Sequence, residues 1–297
     1  MEELKLHPRK GSLKKGVILV LLGWLFLSAG YPLAKIVTPL SSVGQTVFFR
    51  NWIGLICLLP FVIKDHKKVI HMNRPWLVIL RGLSGMTALG LIFLALQKLS
   101  IVNTTLLSNT SPLFVPIIVR IWLKQKIDHR FWLPMVLGLL GVILVIKPDA
   151  GVFKPEAFIA LLAGICLAFS AVTVKMTSGS DNPLTVLFWY MVIGVVLSLP
   201  FAIYAWHVPT IEAWLYFVLL GVTAVLGQFF FFTAFREAKV TVLAPLSYSA
   251  IIYSGIFDWI IWRDTPTLMM WFGVILICCG GIWVILLGQK KKQNSVD

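Results

Sequence analysis

The sequence predicts an all-α integral membrane protein with ten transmembrane helices arranged as two inverted-topology five-helix repeats. Three observations carry that prediction. Of the 297 residues, 59% are apolar and only 13% charged, with a mean hydropathy of +0.90, whereas a soluble domain carries about a quarter charged residues. The apolar residues fall in runs of about 20, the length at which a helix crosses a bilayer while satisfying its own backbone hydrogen bonds. A weak self-similarity divides the runs into five plus five.

The runs lie at 16–34, 43–63, 75–97, 101–122, 131–147, 155–175, 183–204, 211–235, 240–262 and 267–288. Short breaks separate them, many marked by proline (Pro39, Pro75, Pro155, Pro183, Pro209, Pro266), and none holds a soluble domain. The division is therefore a basic tail at 1–15, a first repeat at 16–147, a second at 155–288 and a basic tail at 289–297. A transmembrane barrel is excluded, because its strands of about ten residues alternate apolar with polar and these runs are continuous.

The net charge of +14 raises nucleic acid as a partner until its distribution is read. With the N-terminus inside, 18 of the 26 lysines and arginines fall in inside segments and 5 outside. Arg50, Arg81 and Arg120 lie within spans. The positive-inside rule gives this asymmetry for ten spans with both termini cytoplasmic. Topology and anionic lipid explain the charge, so the lipid bilayer is the expected partner and nucleic acid is not. Cys57, Cys166, Cys278 and Cys279 sit in spans without metal-ligand spacing, and no cofactor is expected. The basic start and first apolar run imitate a secretory signal, but nine further spans favour an uncleaved first helix.

Advancing the first half by 139 residues brings Ala95 onto Ala234, Ser108 onto Ser247, Gln125 onto Asp264 and Gly141 onto Gly280. Five spans is an odd number, so the second copy enters the membrane in the opposite direction, which places a substrate site near the midplane between the copies. Chance alignment of apolar runs is the alternative reading of these matches.

FFRNWIGLICLLP at 48–60, LRGLSGMTALGLIFLALQKLSIVNTTLLSNTSPLF at 80–114 and GVTAVLGQFFFFTAFREAKVTVLAPLSYSAIIYSGIFDWIIWRDTPT at 221–267 resemble, in order and in both halves, the EamA-type permeases of the drug/metabolite transporter superfamily. The resemblance covers about 16–288. The FFR stretch and the Arg-Gly opening of the third helix are similar to the S-adenosylmethionine permease branch. Gln125 stands where the family commonly closes its fourth helix with an acid, while Asp264 keeps the acid after the ninth. The resemblance implies a permease.

Charges inside a bilayer are costly, so those present are candidates for function. Arg50 lies about seven residues, or about 10 Å, into the second span; it either holds a carboxylate or phosphate, pins a gate, or snorkels outward. Arg81 is a weaker candidate of the same kind, and Arg120 sits near a span end. Asp258, the only carboxylate more than one residue inside a span, is either a gate partner or an interfacial acid. The fourth span carries Asn103, Thr104, Thr105, Ser108, Asn109, Thr110 and Ser111 ahead of Pro112 and Pro116, a polar face wide enough to border a cavity. Ser108, Asn109, Gln228, Tyr248, Ser249 and Tyr253 are read as cavity residues. Trp189, with Tyr190, Trp24 and Tyr31, either stacks on a cationic or ring-bearing ligand or belongs to the interfacial belt. Ala160, Gly164 and Ala168 form a small-residue packing stripe.

No histidine lies within a span, and Glu156 and Glu212 stand only one residue inside span starts, so no glutamate is expected to be buried, which disfavours proton coupling and a multidrug exporter of bare organic cations. The expected function is a secondary transporter working by alternating access, through exchange or facilitated transport, as monomer or homodimer in the cytoplasmic membrane. Its expected substrate is a small polar or zwitterionic metabolite such as an amino acid, a nucleoside-like compound or S-adenosylmethionine. A multidrug exporter and a membrane enzyme acting on a lipid-linked substrate are the alternatives; the enzyme needs a nucleophile and base or a metal cluster, and neither motif is present. A channel lacks a repeated filter motif.

Overall fold

The computed structural model describes residues 12–96, 101–124, 129–146, 155–238 and 240–263, with isolated positions between 272 and 283. Among the described residues the secondary structure is helical, with no strand. The helices are α1 (Leu13–Val37), α2 (Val43–Lys64), α3 (His66–Ile70), α4 (Pro75–Leu96), α5 (Ile101–Ser108), α6 (Ser111–Trp122), α7 (Trp132–Ile146), α8 (Pro155–Thr177), α9 (Pro183–Tyr204), α10 (Ile211–Glu237), α11 (Val240–Leu243) and α12 (Ser249–Trp262). Six of them, α1, α2, α4, α8, α9 and α10, are long and apolar enough to cross a membrane. The expected fifth span corresponds to the 15-residue α7, and most of the expected tenth, 267–288, lies outside the described residues.

Polar residues fix where the long helices begin. Ser12 accepts from Lys15 N, Asn182 from Leu184 N ahead of Pro183, and Thr210 from Ala213 N. Ser42 and Gln45 form a reciprocal capping box at α2. Each cap satisfies a backbone N–H that a helix start leaves without a partner.

Burial is distributed as a lipid solvent dictates. Large apolar side chains such as Ile63, Phe158, Phe201 and Ile211 point outward, while Gln45, Arg50, Asn51, Arg81, Thr104 and Gln228 are buried. Water would reverse that sorting, because it rewards exposed polar groups and penalises exposed apolar ones.

The fourth and ninth expected spans are each broken, where the sequence pattern suggests continuous helices. The first break falls at Asn109–Thr110, between α5 and α6. Pro112 has no N–H to donate back to Ser108 and its ring crowds that carbonyl, so the α-helical ladder cannot pass. Side chains at the break bond carbonyls of the preceding turn: Ser108 donates to Thr104 O (2.7 Å), Asn109 to Thr105 O (2.8 Å) and Thr110 to Leu107 O (2.6 Å). The second break is a 3-10 turn over Ala244–Tyr248, between α11 and α12, again at a proline. A shift of 139 residues carries Asn109 of the first break onto Tyr248, the last residue of the second. It also relates the two described non-glycine residues with left-handed backbone, Lys124 (φ 50) and Arg263 (φ 63), which end α6 and α12 in the conformation that terminates helices.

Helix pairing follows the same shift. α1 corresponds to α8, α2 to α9 and α4 to α10. The largest interfaces are α1 with α10, α4 with α8, and α2 with α9; replacing each helix by its counterpart exchanges the first two and maps the third onto itself. α2 and α9 run antiparallel, since Gly44 at the start of α2 meets Phe201 near the end of α9, while Gly54 meets Met191. Small residues permit these approaches: a Cβ at Gly44 would stand 2.5 Å from the Phe201 carbonyl carbon, and one at Gly23 would stand 3.1 Å from Gly227 O.

Candidate functional site

Arg81 lies six residues into α4 and points into the protein, 3% exposed. Its guanidinium is held from three helices. Nη1 donates to Ser170 Oγ on α8, Nη2 donates to Gln228 Oε1 on α10 at 3.1 Å, and the planar group lies 4.5 Å from the Tyr190 ring and 4.9 Å from the Phe232 ring. Both distances fall within cation–π range. Gly85, one turn on from Arg81, leaves the space this pose needs, because a Cβ there would collide with Arg81 Nη1 and stand 2.8 Å from Tyr190 Cε2. Gly85→Ala is therefore expected to expel the guanidinium and lower substrate binding about tenfold, the cost of losing one charge-assisted hydrogen bond of about 1.5 kcal/mol. Thermal shift against ligand concentration reads it, and unchanged affinity would show that the arginine pose is dispensable.

Arg50, on α2, is 6% exposed and has a different environment. Its hydrogen bond is long, from Nη1 to Asn51 Oδ1 at 3.4 Å, and Asn51 donates in turn to Val47 O at 2.7 Å. Four guanidinium N–H groups thus have no hydrogen-bond partner among the described residues.

Both arginines line one cavity between the two sets of helices, about 980 Å³ of space between atoms with its mouth included. Tyr190, Gln228, Ser111, Ser170 and Ser247 supply its remaining polar wall, together with Trp24 and Tyr31. Leu89, Ile92, Phe93, Val115 and Phe231 supply apolar wall. Three side-chain groups here are buried without a hydrogen-bond partner: Arg81 Nε, Trp24 Nε1 and Ser247 Oγ. The first two can only donate.

The two sets of helices contact one another at both ends of the bundle. Where α1 begins and α10 ends, Lys15 pairs with Glu237 at 2.7 Å and Ser12 N donates to the same carboxylate at 3.1 Å, while within the second set Lys175 Nζ caps the end of α10 through Phe235 O and Ala238 O. At the opposite end, Gln45 donates to His207 O (2.7 Å) and accepts from His207 N (3.1 Å), beside Phe49 stacked on Phe217. The shift of 139 residues turns His207 into Lys68, and Lys68 O accepts from Thr185 Oγ at 2.9 Å. The two ends of the paired α2 and α9 are therefore latched alike.

Of the residues singled out from sequence, Arg50, Arg81 and Gln228 come together at this cavity, as do Trp24, Tyr31 and Tyr190. Ser108 and Asn109 are buried beside it, bonded to their own helix. Tyr248 packs over Gly138 with its hydroxyl 3.5 Å from Met135 O, and Ser249 bonds Leu246 O. Trp189 donates to Ile70 O at 3.0 Å, fastening α3 to α9, and half-buried Tyr253 is not among the cavity-lining residues. The Asp258 side chain lies outside the described residues. Ser170 and Phe232, which hold Arg81, gave no signal in the sequence: one is a lone serine in an apolar helix, the other the last of four consecutive phenylalanines.

Two similar sets of apolar helices around a polar, basic hollow define a multi-pass membrane protein of the transporter class. The EamA-like transporter family matches residues 14–147 and again 154–287, and the chain belongs to that family. It is 27% identical to an S-adenosylmethionine uptake transporter of Rickettsia bellii, over 93% of this chain and 96% of that one. It is 29% identical to the protein of that name from Rickettsia conorii, over 92% and 94%. A pseudopaline exporter of Pseudomonas aeruginosa is 25% identical over 94% and 98%. A solved crystal structure shares the fold with a TM-score of 0.78 at 17% identity, covering 93% of this chain and 98% of that one.

Proposed function

We propose that this protein is a secondary transporter that carries a small polar metabolite across the cytoplasmic membrane by alternating access. The observation that carries the reading is the basic cavity between two sets of corresponding helices, which contact one another at both ends of the bundle. A carrier needs a site that each side can reach in turn, and two similar units that exchange roles supply two such states of comparable energy. Ten spans in two inverted repeats, with both basic tails in the cytoplasm, account for the antiparallel α2 and α9 and for the exchange of helix pairs under a 139-residue shift. The paired breaks at Asn109–Thr110 and Ala244–Tyr248 sit where discontinuous helices of inverted-repeat carriers border their sites. Ser108, Asn109, Tyr248 and Ser249 support those breaks, on this reading, and Asp258 is a gate partner at the far end of α12. Trp189 and Tyr253 are the outermost of the residues assigned to substrate handling. The unit of function is a monomer or a homodimer.

S-adenosylmethionine is the first substrate to test, because two relatives are named for its uptake, and exchange is the coupling mode that the scarcity of buried acids favours. Purified protein is reconstituted into vesicles loaded with unlabelled compound, and entry of the labelled compound is followed, after a thermal-shift screen of amino acids, nucleosides and S-adenosylmethionine has ranked candidates. Internal compound is expected to accelerate saturable entry. Non-saturating, ion-like conduction would replace the carrier with a channel.

A further inference from the structure

The two arginines of the cavity have no acidic counterpart among the described residues. The described carboxylates are those of Asp65, Asp181, Glu212 and Glu237, and all lie at helix ends or in loops. Asp65 pairs with Lys68, Asp181 accepts from Asn73 N, and Glu237 pairs with Lys15. Asp258 belongs to α12 eleven residues beyond the cavity-lining Ser247, about 16 Å along the chain at helical rise. Arg50 and Arg81 both come from the first half, and the 139-residue shift turns them into Trp189 and Leu220, so the second half contributes no matching cation or acid.

The cavity is also unbalanced in hydrogen bonding. Arg81 Nε and Trp24 Nε1 are buried donors without partners, and Arg50 makes one long bond. The only side-chain amide oxygen in the wall, Gln228 Oε1, is already taken by Arg81. Donor-only groups in excess, two of them formally positive, are costly in a low-dielectric interior until an acceptor of opposite charge arrives. A planar carboxylate or a phosphate matches a guanidinium fork best.

We infer that the cavity is an anion site, in which Arg50 and Arg81 hold the acidic group of a small organic metabolite while Trp24, Tyr31 and Phe231 receive its less polar body. The inference rests on the carrier reading and names the substrate class: a metabolite with a carboxylate or phosphate, as against a bare amine or a quaternary ammonium compound. Arg81 is fixed by Ser170, Gln228 and two rings and so sets the position of the bound charge. Arg50, with its donors unspent, makes the new hydrogen bonds. Net charge elsewhere on the metabolite is unconstrained by this arrangement, provided the acid group is present.

The test measures which sign of charge the cavity concentrates, whatever the metabolite proves to be. Cys57, Cys166, Cys278 and Cys279 are replaced by alanine, and Ser247→Cys or, independently, Ser111→Cys is introduced in the full chain, reconstituted in phosphatidylcholine vesicles. Each reporter lines the cavity. Anionic sulfonatoethyl methanethiosulfonate and cationic trimethylammonioethyl methanethiosulfonate are added outside or trapped inside, with rates normalised to a free thiol in solution. The anionic reagent is expected to be favoured about tenfold or more, the enrichment a cleft of one sign gives, and the preference should vanish in Arg50→Gln combined with Arg81→Gln. Preference for the cation, equal rates, or no reaction of either reporter overturns the anion site. Loss of the preference on adding phosphatidylglycerol overturns a metabolite as its occupant, because a lipid headgroup then fills it. Reaction from one side only leaves the anion site standing and ends the carrier reading, so the two fail separately.

Discussion

Arg81→Ala is expected to abolish transport and to lower the stability of the protein, and Arg81→Lys is expected to rescue stability better than transport. The argument is in the bonding of the guanidinium. Alanine leaves Gln228 Oε1 and Ser170 Oγ without their partner and opens a gap between the rings of Tyr190 and Phe232. Each buried polar group so orphaned costs about 1–3 kcal/mol, partly offset because the buried charge itself no longer has to be desolvated. Lysine keeps the charge and fills most of the gap, yet its single ammonium cannot span Ser170 and Gln228 while lying flat between two rings. Transport by Arg81→Lys is therefore expected to fall about tenfold or more, the loss of about 1.4 kcal/mol of differential binding, at a melting temperature closer to that of the parent. Unfolding in detergent and vesicle uptake, measured on the same preparations, separate the two effects. Full transport by Arg81→Lys would show that charge alone matters at this position and that the three-helix grip on the guanidinium is incidental.

What the sequence made legible divides along the same line. Hydropathy placed the six long helices, because a bilayer forces backbone hydrogen bonds to close within each segment and leaves few alternatives to a helix of about 20 residues. The breaks inside the fourth and ninth spans were less legible. Pro112 and Pro116 announced disturbance in the fourth span, but a proline in a membrane helix either kinks it or ends it, and the choice depends on groups from other helices. Here Gly164 of α8 lies so close that a Cβ would stand 2.9 Å from Leu107 O, an approach no local pattern encodes.

The polar groups of the site divide similarly. Arg50 and Gln228 stand out because a charge or an amide in an apolar run is expensive anywhere in it. Arg81 is, by its position in the sequence, equally able to reach head groups, since a long basic side chain near a span end has both options. Its actual direction is set by Gly85 on the next turn of its own helix and by Ser170 and the Tyr190 and Phe232 rings from three other helices. Hydroxyls give the weakest signal. Ser108 and Ser249 each satisfy themselves on a carbonyl of the preceding turn, a local option always open to serine in a helix, so a polar stripe alone does not say which hydroxyls face a cavity. Ser247, without a hydrogen bond and on the cavity wall, differs from them only in three dimensions.

Arg50→Ala, in contrast to Arg81→Ala, is expected to abolish transport while leaving the folded protein as stable as the parent or slightly more so. The bond that alanine would remove is the 3.4 Å contact to Asn51, and Asn51 keeps its stronger donation to Val47 O at 2.7 Å. Removal of a charge buried in a low-dielectric interior, with no acid beside it among the described residues, returns its desolvation cost to the fold. The same charge shares a cavity with Arg81, and like charges in a low-dielectric space disfavour one another, so its loss eases the position of the remaining arginine. What alanine takes away is the group whose donors await a ligand, and truncating one side of a desolvated charge pair costs about 2–5 kcal/mol of binding, roughly 30-fold or more in affinity. Thermal unfolding with and without ligand makes the distinction directly: the unliganded melting temperature should hold or rise, and the ligand-induced increase should disappear. A lowered melting temperature that ligand still raises would assign Arg50 to structure and move the binding charge onto Arg81 alone.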